Sequence, residues 1–134
     1  MAVTVTNNVV TKLNTNQAIT VNAATSTVAG GSEVFTLTPT KSSGKLALLF
    51  VEASTAASGK CSYSIAAGDI GFASKAITGT FGSTAAAGSL DVLQIDTAHV
   101  LQNDGTIAIT VNPGSTASSL KTTHAMKMYA LSLL

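Results

Sequence analysis

Two histidines, one cysteine and six acids are the side chains whose types could do acid–base, nucleophilic or metal chemistry in this chain. His99 and His124 stand far apart, with no second ligand at zinc-finger spacing, so a zinc site would need acids recruited from elsewhere. Both are expected as partly exposed strand histidines. Glu33, Glu52, Asp91 and Asp96 could supply a glycosidase pair, which needs only two carboxyl groups at the right separation. Any chain with six acids contains such pairs on paper. Asp69, Asp91, Asp96 and Asp104 stand singly, without the loop spacing of a calcium site. Cys61 alternates with Ser62, Tyr63, Ser64 and Ile65, which puts it on the same strand face as Tyr63 and Ile65. A lone cysteine there reads as a small buried hydrophobe, since no activating base lies nearby in sequence.

Lys41-Ser42-Ser43-Gly44-Lys45 has the outline of a phosphate loop but lacks the first glycine. Leu46 follows where a Ser or Thr would hold magnesium, and a strand is expected next in place of a helix, so no helix N-terminus holds the anion. Serines are abundant, yet none lies in Gly-x-Ser-x-Gly. No catalytic, cofactor or metal residue is therefore assigned, and a non-enzyme is expected. Glycan binding is the main site-based rival. It stacks sugar rings on aromatic faces, and the chain has no Trp, two Tyr and four Phe. Phe35, Phe50 and Tyr63 are expected in the core, which leaves Tyr129 with Phe72 or Phe81.

Composition narrows the class further. The 134 residues suffice for one domain with a core of its own. Charged residues make up 10% of the chain, against about 25% in ordinary soluble domains. So few charges point to an exterior covered by permanent association with neighbours. The seven basic residues are all Lys. Without Arg, and with six balancing acids, no basic stripe for nucleic acid forms. No apolar run approaches the roughly 18 residues of a membrane helix. The N-terminus as written has neither the basic nor the apolar region of a secretory signal, and a single Cys makes no intramolecular disulfide. Synthesis and folding in a reducing cytoplasm are expected.

The elements that must position these residues are organised around Lys45 to Ala53. Leu46 to Val51 is continuously apolar and bracketed by Ser42-Ser43-Gly44 and Ser58-Gly59, which predicts a central strand covered on both faces. Alternation predicts further strands at Ala2 to Val10, Gln17 to Ala23, Glu33 to Thr38, Lys60 to Ala66, Ser89 to Ile95 and Leu120 to Leu134. Ala18 to Asn22 recurs as Ala108 to Asn112, a convergence of strand composition. Residues 67–88, punctuated by glycines, hold one or two short strands or a long loop, where binding contacts commonly lie. Asn103-Asp104-Gly105 predicts a hairpin turn between His99 to Gln102 and Thr106 to Val111. A helix at Ala125 to Leu134 competes with a strand in which Met126 and Met128 oppose Lys127, Tyr129 and Leu131. The sum is an all-β chain of eight or nine short strands with little or no helix: an antiparallel β-sandwich, jelly roll or related barrel. Residues 1–12 form an N-terminal arm or edge strand, and 13–134 a single sandwich domain.

In whole-chain style (the alternating segment at Ala2 to Val10, the Gly/Ser-rich loops, the terminal strand ending at Leu134) the chain resembles the capsid decoration, or cement, proteins of tailed bacteriophages. The resemblance implies a structural virion protein on the capsid exterior, commonly a trimer, that binds the major capsid protein and stabilises the assembled shell. No membrane, nucleic acid or small-molecule substrate enters such a role. The arm could add a strand to a neighbour's sheet edge. Interface contacts are then expected from Val3, Val5, Val9 and Val10 of the arm, and from Phe72, Phe81 and Tyr129. A carbohydrate-binding β-sandwich module and a self-assembling surface or filament subunit are the alternatives.

Overall fold

A computed structural model of the chain describes residues 2–11, 14–17, 24–25, 31–40, 44–52, 60–69, 74–82, 89–114, 120 and 124–132. Within them the strands are β1 (Val3–Val5), β2 (Asn7–Val9), β3 (Ala24–Thr25), β4 (Glu33–Leu37), β5 (Lys45–Glu52), β6 (Cys61–Ile65), β7 (Ile77–Phe81), β8 (Ser89–Asp96), β9 (Ile107–Asn112) and β10 (Met126–Ser132). The first sheet runs β1-β4-β9-β6-β7. The second runs β2-β10-β5-β8, with β3 also paired to β10. Two sheets packed on one core make the molecule the β-sandwich that the alternation predicts.

Period-two patterning decides which residues face inward. In β5, Leu46, Leu48, Phe50 and Glu52 are all buried. Their partners across β10 are Ser132, Ala130, Met128 and Met126. The first sheet answers with Phe35, Leu37, Ile107, Ile109, Val111, Cys61, Ile65 and Phe81. Phe50 stacks between the sheets, its ring 4.5 Å from that of Phe81 and 5.2 Å from that of Tyr63. Gly79 is required beneath this stack, because a side chain there would run into the Tyr63 ring.

Two alternatives are decided and one expectation changes. The N-terminal segment is no free arm: β1 pairs in parallel with β4 and β2 in parallel with β10. It is an edge strand of both sheets in turn, and it makes each sheet mixed. Val5 faces inward and is buried in the chain's own core. The residues before the Asp-Gly turn are no strand. Thr97–His99 is a 3-10 turn whose first free amide, that of Ala98, is capped by the Asp96 carboxylate at 3.0 Å. Such capping fits an Asp at a strand end better than continued pairing does. The turn itself forms, with Gly105 at φ 81° and its amide donating to the Gln102 carbonyl. Residues 126–132 are strand and not helix, with Met126 and Met128 fully buried and Tyr129 outward. The strand expected at Gln17 to Ala23, and so the first copy of the echo, lies outside the described residues apart from Gln17.

The two outer faces differ in chemistry. On the first sheet, register aligns Thr4 with Thr36, Thr110 with Ser64, Ser64 with Thr78 and Ser62 with Thr80. Hydroxyls dominate that face. On the second sheet, Tyr129, Leu49 and Val92 form one row and Lys127, Val51 and Leu90 the next. Leu131, Ala47 and Gln94 complete the patch. Among these nine residues Lys127 carries the only charge.

Candidate functional site

The buried polar centre lies at one end of the sandwich. Glu52 closes β5, Cys61 opens β6, and His124 enters β10 two residues before Met126. Glu52 continues the inward set of β5 and Cys61 that of β6, while His124 reaches them across Ala125, whose φ of 46° breaks the alternation ahead of β10. All three are fully buried. His124 Nδ1 lies 2.8 Å from Glu52 Oε2. One donor atom from each residue (a carboxylate oxygen, the thiol sulfur, a ring nitrogen) lies within 4.8 Å of the other two. Among the described residues, His124 Nε2 has no hydrogen-bond partner. Gly82 presses on the same carboxylate. A Cβ there would sit 2.7 Å from Glu52 Oε2, and its φ of +98° already favours glycine.

Burial decides the chemistry open to this trio. A cysteine, a histidine and a glutamate are the parts of a nucleophilic triad. Here burial, and after it the Glu52 carboxylate, pushes the Cys61 thiol up to about 12. A thiol that keeps its proton and is sealed from solvent cannot attack a substrate. The arrangement fits holding a cation or a proton.

The expectation of two partly exposed strand histidines is corrected. His124 is fully buried. His99 is half-buried in the 3-10 turn, and its carbonyl accepts the amides of Gly68 and Lys75. His99 borders a shallow open groove with Lys75, Ala76, Ile77 and Thr78. It lies beyond the Lys45 end of β5 and His124 at the Glu52 end, about 20 Å apart at the usual strand rise.

The single aspartates have structural work. Asp91 accepts the Gly82 amide at 2.9 Å, Asp69 that of Asn103 at 3.1 Å, and Asp104 both the amide and the hydroxyl of Thr106. The two Thr106 contacts, hydroxyl first, lower the Asp104 carboxyl below its ordinary value. Gly44 leads directly into β5, so no helix stands behind the Lys-Ser-Ser-Gly-Lys stretch.

The expected interface residues divide. Val3 and Val5 face the core, Val5 with 3% of its surface exposed; Phe81 is at 2%, inside the aromatic stack. Val5 and Phe81 are thus unavailable to another chain, because inward parity claims them. Val9 is exposed, Val10 is half-buried with its amide on the Ser132 carbonyl, and Tyr129 stands on the outer face of the second sheet. Phe72 lies outside the described residues. Leu90 and Val92 were not anticipated, although they are the most exposed large hydrophobics among the described residues, at 61% and 63%. Their alternation with Asp91 and Leu93 was the available signal. Comparison with protein-family models, with curated proteins and with solved structures gave no match.

Proposed function

We propose that the chain is a non-catalytic structural protein that lies flat on a larger protein shell, its second sheet against the shell and its hydroxyl-rich first sheet toward solvent. The observation that carries this reading is the outer face of β10, β5 and β8. The apolar run of β5 is of the kind that strands covered on both faces carry. The opposing sheet covers its inner side, while Leu49 and Val51 remain half-exposed on the outer side beside Leu90 and Val92. A contiguous apolar patch of this kind marks an interaction surface, and its low charge keeps the desolvation cost of docking small. Two faces of unlike chemistry suit a molecule with one wet side and one dry side.

Within that class, the resemblance to phage decoration proteins makes the reading concrete: a capsid-exterior virion protein, a trimer, bound to the major capsid protein. Mass measurement in solution with and without purified shells tests it. A stable oligomer, or co-sedimentation with particles, is expected. A monomer indifferent to shells overturns the proposal. The glycan-binding alternative has Tyr129 as its single outward ring on this face, and it predicts retardation on polysaccharide that Tyr129→Ala abolishes.

A further inference from the structure

We propose that Glu52, Cys61 and His124 bind one zinc-class divalent cation, which ties the two sheets together at this end of the sandwich. The donor set is sulfur, nitrogen and oxygen, the mixture that zinc accepts in tetrahedral sites. Zinc bonds of about 2.0–2.3 Å place neighbouring ligand atoms roughly 3.5 Å apart. The present spread, within 4.8 Å, needs a contraction of about 1.3 Å at most. The three ligands come from three chain segments and both sheets: Cys61 from the first, Glu52 and His124 from the second and its approach.

One further observation points to a ligand. Among the described residues, the fully buried His124 ring leaves Nε2 without a partner. The Glu52 carboxylate and the Cys61 sulfur lie within 4.8 Å of each other, and a divalent ion between them would balance both charges, displacing the thiol proton to solvent as the sulfur–metal bond forms. With the carboxylate and thiolate each carrying one negative charge and the imidazole neutral, the filled site is electrically balanced. The three protein donors fill three of the four tetrahedral positions, and the fourth falls to a water carried in with the ion.

The test uses the full chain, refolded in zinc or in cobalt(II) so that access to the buried site is not limiting, and then freed of loose metal by gel filtration. About one equivalent of metal should remain. The cobalt form should show thiolate-to-metal charge transfer in the near ultraviolet. Cys61→Ser should lose that band and retain at least about tenfold less metal, while His99→Gln should match the parent. His124→Gln, which keeps a polar group beside Glu52, is the second variant, with circular dichroism checking that both variants fold. If neither folds, the parent's stoichiometry and cobalt spectrum decide. Metal below about a tenth of an equivalent, absence of the charge-transfer band, or binding lost in His99→Gln and kept in Cys61→Ser would overturn the proposal. None of these outcomes depends on whether the protein docks on a shell.

Discussion

His124 Nδ1 and Glu52 Oε2 lie 2.8 Å apart, both fully buried, although 72 residues separate them in the chain. Such a contact constrains more than it stabilises, because removing one partner leaves a buried polar group stranded. In the metal-free protein, His124→Ala should cost about 3–5 kcal/mol, the usual penalty for breaking a buried pair. A double-mutant cycle with Glu52→Gln and His124→Gln, read by urea unfolding, should give a coupling of about 1–3 kcal/mol. Additive effects would mean that the two side chains are energetically independent.

Gly82 carries the second expectation. An alanine there combines a left-handed φ of +98° with a Cβ pressed on the Glu52 carboxylate, whereas Gly105 at φ +81° has open space around it. Gly105→Ala should cost about 1–2 kcal/mol from backbone strain alone, and Gly82→Ala clearly more. Thermal unfolding of the two variants side by side gives the comparison. Equal losses would show that the carboxylate moves aside freely.

Stability and assembly should separate on the second sheet. Leu90 and Val92 point outward, so Leu90→Lys and Val92→Lys should change unfolding free energy by no more than about 0.5 kcal/mol while abolishing self-association or shell binding in sedimentation. Leu48, on the opposite side of the neighbouring strand, is fully buried. Leu48→Ala should cost about 2–5 kcal/mol. If the lysine variants sediment like the parent, the apolar face is not the docking surface.

Cys61 gives a pH dependence with a definite sign. Its folded thiol, held near about 12 by burial and then by Glu52, retains a proton that the unfolded chain releases near pH 8.5, roughly the free-thiol value. Between these limits unfolding releases a proton, so stability falls as pH rises. The metal-free parent should lose up to about 1.4 kcal/mol per pH unit there relative to Cys61→Ser. Below pH 8, roughly, the difference between the two should be constant. Denaturant midpoints across alkaline pH measure it, and parallel curves would mean that the thiol titrates normally.

Alternation made most of the sandwich legible. Met126 and Met128 in β10 share one face as their alternation predicts, whereas the continuous apolar run of β5 assigns no inward set and the structure buries Leu46, Leu48 and Phe50. From sequence, Cys61 is expected to be buried, but His124 is expected to be partly exposed and Glu52 is assigned no face, and one-dimensional spacing carries no information on which strand ends meet in space. The trio was therefore invisible as a cluster. Asp96 misled for a different reason: its short side chain caps the next turn, and that local hydrogen bond outweighs the strand propensity of the residues after it. The outer patch escaped notice because Leu90 and Val92 resemble core residues until pairing with β5 turns them outward.

The pairing of Asn7 to Val9 with Ala130 to Ser132 bears on how the molecule is made. The Asn8 side chain also reaches the Ala130 carbonyl, 122 residues away. Asn7 to Val9 must therefore wait for a segment synthesised about 122 residues later before this edge can zip. Contacts of such high order slow folding, and until that moment the backbone of Asn7 to Val9 is open to other nascent chains.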